Sequence, residues 1–136
     1  MTHTLPFASG VMAALVCIAV TRPLGYRHAA EFFNLAMAAT SAFYFGSALP
    51  AHDTRAMVVE AAIGSPLFLL AFAGQWRSLK FTAAAFLLHG TWDLAHVTLG
   101  IGAEAGMGFP VFCVALDWVL AGYLWWMAGA TDRQKR

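Results

Sequence analysis

Five apolar runs, at residues 5–20, 29–49, 56–74, 81–99 and 110–129, are separated only by short polar loops, and nothing else in the sequence constrains the fold as much. Each holds roughly 16 to 21 residues, close to the ~20 that carry a helix across about 30 Å of hydrocarbon. The runs lack the polar–apolar alternation of barrel strands. In a bilayer core every backbone N–H and C=O must be satisfied within the chain, so helices are expected. Composition agrees, since 60% of the 136 residues are hydrophobic and 11% charged, with a mean hydropathy of +0.67. A soluble domain of this size cannot hide that much apolar surface. The expected fold is all-α: a polytopic membrane protein whose single transmembrane domain, residues 1–136, is a bundle of five transmembrane helices.

Charge orients such a bundle. Arg22 and Arg27 fall in the first loop, Arg77 and Lys80 in the third, and Arg133, Lys135 and Arg136 in the tail, whereas the second loop has only Arg55 and the fourth has no Lys or Arg. With five spans the three basic regions share one side, which the positive-inside rule makes the cytoplasm, with the N-terminus outside. The expected location is a bacterial inner membrane. The first run lacks the basic flank and small-residue cleavage site of a secretory signal and reads as a retained span. Pro23, Pro50 and Pro110 mark segment edges, Pro66 falls inside the third run, and Trp76, Trp125 and Trp126 sit where interface anchors belong. Gly10 with Ala14 and Ala42 with Gly46 have the spacing that lets helices approach closely. The net charge of +1 is scattered, so there is no basic patch for nucleic acid. Cys17 and Cys113 fall near opposite membrane faces, too far apart for a disulfide. The partners such a chain implies are membrane lipid, a lipophilic small molecule and, for so small a chain, a second copy in a homodimer.

Ionisable residues inside the runs are what need a reason, because a charge near the bilayer centre costs about 2.5–3.5 kcal/mol on insertion scales. His89, Asp93 and His96 lie in LLHGTWDLAHV. At 100° per residue Asp93 is rotated by about 40° and His96 by about −20° from His89, so the three form one stripe. On the expected topology Glu60 of the third span and Asp117 of the fifth, with Cys113 one turn away, reach the same outer layer. His52, Asp53 and Tyr44 lie on that side, and His52 with Asp53 can cap a cavity. Glu31 and Asn34 make a separate polar feature in the cytoplasmic half.

Imidazole with carboxylates is a ligand set for zinc or non-haem iron, which makes His89, Asp93, His96 and Glu60 candidate metal ligands. His89 and His96 are two turns, about 10.5 Å, apart, so one ion does not suit both. The choices are two ions bridged by Asp93, one ion completed by Glu60 or Asp117, or Asp93 fixing a histidine tautomer. Without metal, Glu60 or Asp117 can act as general acid and a histidine as base, with Glu60, His89, Asp93, His96 and Asp117 as the catalytic set. The same residues suit a proton or ion conduit, or a structural protein whose polar contacts only fix packing. Cys113 reads as packing, and Trp92 and Trp118 as core or lipid contacts.

The stretch LLHGTWDLAHV, followed by FPVFCVALDWVLAGYLWW, resembles a family of small bacterial integral membrane proteins of unknown function carrying an H-x-x-W-D-x-x-H span. The resemblance rests on His89, Trp92, Asp93, His96, Pro110, Cys113 and Asp117, and implies a helical membrane fold without naming an activity. A fainter likeness is to the alkaline-ceramidase type of intramembrane hydrolase. That type carries an H-x-x-x-H pair where this chain has His89 and Asp93, so its catalytic roles do not transfer. The expected function is a small membrane-embedded enzyme using an outward-facing His/carboxylate cluster for metal-assisted or acid–base chemistry on a lipophilic small molecule.

Overall fold

The computed structural model describes residues 3–51, 53–100 and 108–134, with only the backbone described for residues 44, 45, 47, 48, 50, 51 and 134. The Tyr44 side chain, His52, Lys135 and Arg136, invoked above, lie outside the described residues. The described residues are almost entirely helical and contain no strand: α1 is Thr4–Thr21, α2 Gly25–Ala51, α3 Thr54–Trp76, α4 Leu79–Leu99 and α5 Phe109–Gln134.

Local chemistry explains where the helices stop. Between α1 and α2 the chain makes a 3-10 turn at Arg22–Leu24 containing Pro23, and Gly25 follows with φ +74°, which a side chain would oppose. Asp53 caps α3 by accepting from the Ala56 N–H at 3.0 Å, so its carboxylate serves the helix end. Ser78 caps α4, accepting from Lys80 N at 3.3 Å. At the other end of α4 the left-handed Gly100 returns its N–H to His96 O at 3.2 Å.

By length and composition, three stretches suffice to cross a membrane: Thr4–Phe43, Thr54–Trp76 and Phe109–Arg133. The first runs through α1, the turn and part of α2. α4 is absent from that set because the His89, Asp93 and His96 stripe dilutes its apolar content. Large apolar side chains line the exposed surface, among them Leu5, Leu35, Leu69 and Trp76. This is the arrangement of a protein whose outside meets lipid instead of water.

α5 packs against α1 and α4, and α3 packs against α4 and α2, so the helices are neighbours in the order α1, α5, α4, α3, α2. α1 and α5 meet where Gly10 lies against the Phe112 carbonyl, leaving no room for a Cβ. The Ala42–Gly46 pair makes no such contact: Ala42 is exposed, and among the described residues nothing lies within 4 Å of where a Gly46 Cβ would be. Helical spacing of small residues permits an approach, and among the described residues only the Gly10 pair makes one.

The bundle is divided along its length. One half is a dry core containing Phe33, Met37, Leu79, Phe86 and Leu124, with Phe33 edge-on to Phe86 at 6.5 Å. At this end Asn34 donates to Gln75 Oε1 at 2.6 Å and accepts from the Thr82 hydroxyl, joining α2, α3 and α4. Lys80 pairs with Asp132 at 2.7 Å at the same end. Glu31 takes no part in the Asn34 network and pairs with Arg27 at 3.1 Å on an exposed face. The other half of α3, α4 and α5 holds Glu60, His89, Asp93, His96, Asp117 and Cys113.

Candidate functional site

α4 runs past both α3 and α5 and turns one polar stripe toward each. His89 and Asp93 meet α5. His89 Nδ1 is 2.7 Å from Asp117 Oδ2 and 3.1 Å from Asp93 Oδ2, and all three side chains are at most 2% exposed. Carboxylate oxygens only accept, so a proton, held by the ring or by one of the carboxyls, or a cation must lie between them and the ring nitrogen. One ligand atom from each residue lies within 4.8 Å of the others, so the group can hold a metal ion.

The approach depends on Gly90. A Cβ there would come within 2.7 Å of Trp118 Cδ1 and 3.1 Å of Asp117 Cβ, so the missing side chain is what brings α5 close enough for Asp117 to reach His89. Gly90→Ala is accordingly expected to displace Trp118, loosen the His89–Asp117 contact and cost about 1–3 kcal/mol, as overpacking does. Thermal unfolding in detergent measures that loss.

His96 meets α3 instead. Its Nδ1 donates to the Trp92 carbonyl at 3.1 Å, and its Nε2 lies 3.1 Å from Glu60 Oε1. A carbonyl can only accept, so the proton at Nδ1 is fixed and neutral imidazole presents a lone pair at Nε2. A hydrogen bond to Glu60 therefore needs one more proton, held either by the carboxyl or by the ring. Glu60 Oε2 accepts from Trp92 Nε1 at 3.1 Å, and the Trp92 and His96 rings sit edge to face at 4.9 Å. Trp92, read from the sequence as a core or lipid contact, is thus a partner of the Glu60 carboxyl.

The five residues expected to form one site divide into two groups on adjacent turns of α4. Asp117 joins His89 and Asp93, while Glu60 joins His96. Of the metal set named from the sequence, His89 and Asp93 belong to the group that can hold an ion and His96 and Glu60 to the other. Cys113 is buried beside Asp117 on α5 and forms no disulfide, and Trp118 is 43% exposed.

Glu60, although only 3% exposed, also borders a groove on the flank of the bundle. A groove of about 440 Å³ between α2 and α3 is lined by Ser41, Ala42, Glu60, Ala61, Gly64 and Phe68 among others. A second depression of about 260 Å³ shares Ala38 and Phe68 with it and continues toward Asn34 and Gln75. Apart from Glu60 and two serines, the lining of the first is apolar.

Gln75, Thr82 and Gly90 make contacts that the apolar and ionisable patterns of the sequence do not single out. Gly90 carried a signal, a glycine beside a buried histidine in mid-helix, where it costs about 1 kcal/mol relative to alanine and so needs a packing reason. Gln75 and Thr82 sit near helix ends and carried none. No curated protein and no solved structure matches the chain. The model of a family of unknown function, DUF6010, matches residues 5–131, and the chain belongs to that family.

Proposed function

We propose that the protein is a multi-pass bacterial inner-membrane enzyme in which Glu60 and His96 perform acid–base chemistry on a lipophilic small molecule drawn from the bilayer. The observation that carries this is the position of Glu60: its buried carboxyl meets a tautomer-fixed imidazole, and the same residue borders an apolar groove between α2 and α3. A carboxyl and an imidazole joined by one mobile proton can exchange acid and base roles, which suits isomerisation, cyclisation or hydrolysis. In the metal-assisted form of this chemistry, zinc or iron would supply the electrophile. The H-x-x-W-D-x-x-H stretch is then a functional signature, since His89 and Asp93 serve one group and Trp92 and His96 the other.

The reading includes five crossings, with the N-terminus outside and the C-terminus in the cytoplasm. Its support is the basic bias of alternate connections and the length of the helices: α1 with 18 residues and α4 with 21 span about 27 and 31 Å at 1.5 Å per residue. Glu60, His89, Asp93, His96 and Asp117 then lie in the outer half.

Filling the groove tests the reading without touching the acid–base pair. Purified protein in nanodiscs is incubated with a total bacterial lipid extract, and consumed or formed species are followed by mass spectrometry. Wild type is expected to change at least one lipophilic species, and Ala38→Trp, which blocks the junction of the two depressions, to slow that change by about 10-fold or more. Equal turnover by Ala38→Trp, or no change by the wild type over any extract fraction, rejects the proposal. A proton conduit, the second reading, predicts pH-dependent flux in liposomes that Ala38→Trp leaves intact.

A further inference from the structure

We propose that His89, Asp93 and Asp117 bind one divalent metal ion, separate from the Glu60–His96 pair. The inference goes beyond the acid–base reading, and neither requires the other.

Three independent features of the cluster point to an ion. The first is charge: two carboxylates, each 0% exposed, face one imidazole in a layer closed to water. Carboxylates in such a place must be paired, protonated or bound to metal, and one divalent ion neutralises both while leaving the imidazole neutral. The second is an acceptor left over. Asp117 Oδ2 contacts His89, but Oδ1 of the same carboxylate is buried and accepts no hydrogen bond from the described residues. Buried polar atoms are rarely left this way, and a metal ion uses the lone pair that no donor fills.

The third feature is distance. Ligand atoms bound to one ion at about 2.1 Å stand roughly 3–3.5 Å apart at octahedral or tetrahedral angles. His89 Nδ1 is already 2.7 and 3.1 Å from the two carboxylate oxygens, and one ligand atom of each residue lies within 4.8 Å of the others, so side-chain adjustment alone admits the ion in place of the Nδ1 proton. Gly90 sets that spacing by letting α5 approach. One imidazole with two carboxylates is a borderline-to-hard donor set, suited to Zn²⁺, Fe²⁺ or Mn²⁺ and unsuited to soft Cu⁺. His96 and Glu60 take no part, because their mutual contact and the Trp92 contacts turn them toward α3.

The test is metal analysis of protein purified in detergent without chelator, followed by titration of stripped protein with Zn²⁺, Mn²⁺ and Co²⁺. About one ion per chain is expected in wild type. Asp117→Asn and Asp93→Asn should each weaken Zn²⁺ binding by at least about 10-fold, while Glu60→Gln and His96→Ala leave it unchanged. Melting temperature, followed through tryptophan fluorescence, verifies that each variant is folded. The Co²⁺ form of wild type gives a measurement that does not depend on any variant: d–d absorption characteristic of nitrogen and oxygen ligands is expected, and the spectrum of the hydrated ion overturns the proposal. So do wild type that binds none of the three ions, metal retained at full affinity in both aspartate variants, and metal lost equally in Glu60→Gln.

Discussion

His89→Leu is expected to be destabilised by about 3–5 kcal/mol, whereas the triple variant His89→Leu/Asp93→Val/Asp117→Val is expected to melt at or above the wild-type temperature. The asymmetry follows from what each change leaves behind. Without the imidazole, the carboxylates of Asp93 and Asp117, both 0% exposed and both in contact with His89 Nδ1, lose the positive group they share. Removing one member of a buried ionic group costs that much because an uncompensated charge remains in low dielectric. Removing all three leaves an apolar layer continuous with the dry half of the bundle, and replacements of this kind are commonly neutral or stabilising. Thermal unfolding in detergent, monitored by tryptophan fluorescence, measures both. A triple variant as unstable as the single one would mean that the charges themselves hold α4 to α5, and the cluster would then be a packing device. A stable triple variant means that the cluster is present for something other than stability.

Much of the fold that frames this cluster is legible in the sequence, because the relevant physics is local. The five apolar runs lie within the helices found, since desolvation requires a helix wherever a long run must satisfy its own backbone. The His89, Asp93 and His96 stripe is equally local: it needs only the 100° step. The division of that stripe between two neighbours is not local. Whether Asp117 or Glu60 faces His89 depends on the rotation of α3 and α5 about their own axes, and in α5 that is set by a close approach at Gly90 that no periodicity encodes. Trp92 shows the same limit. From the sequence it reads as a core or lipid contact, and only the position of α3 gives its N–H the Glu60 carboxyl as acceptor. The Asn34, Gln75 and Thr82 contacts likewise join residues 41 and 48 positions apart, where sequence spacing carries no information.

Glu60→Gln is expected to lower turnover of the lipophilic substrate by about 10²–10⁴-fold, the range a positioned general acid or base supplies. The glutamine side chain has nearly the volume of glutamate and can still accept from Trp92 Nε1, so α3 keeps its place and the melting temperature should move little. What it cannot do is give or take the proton at the 3.1 Å contact with His96 Nε2. Since the two side chains share that one proton, they act as a unit, and the double variant Glu60→Gln/His96→Ala should be hardly slower than Glu60→Gln alone. Trp92→Phe distinguishes positioning from proton transfer: it keeps an aromatic ring beside His96 and removes the donor to Glu60 Oε2, and should cost about 10-fold, less than losing the carboxyl. Turnover of nanodisc-reconstituted variants on the lipid fraction consumed by wild type provides the comparison. Independent, multiplicative losses at residues 60 and 96 would show two separate roles instead of one shared proton. Unchanged turnover in Glu60→Gln would remove the acid–base reading altogether and leave the groove with an unused carboxyl, which favours a conduit through the same residues.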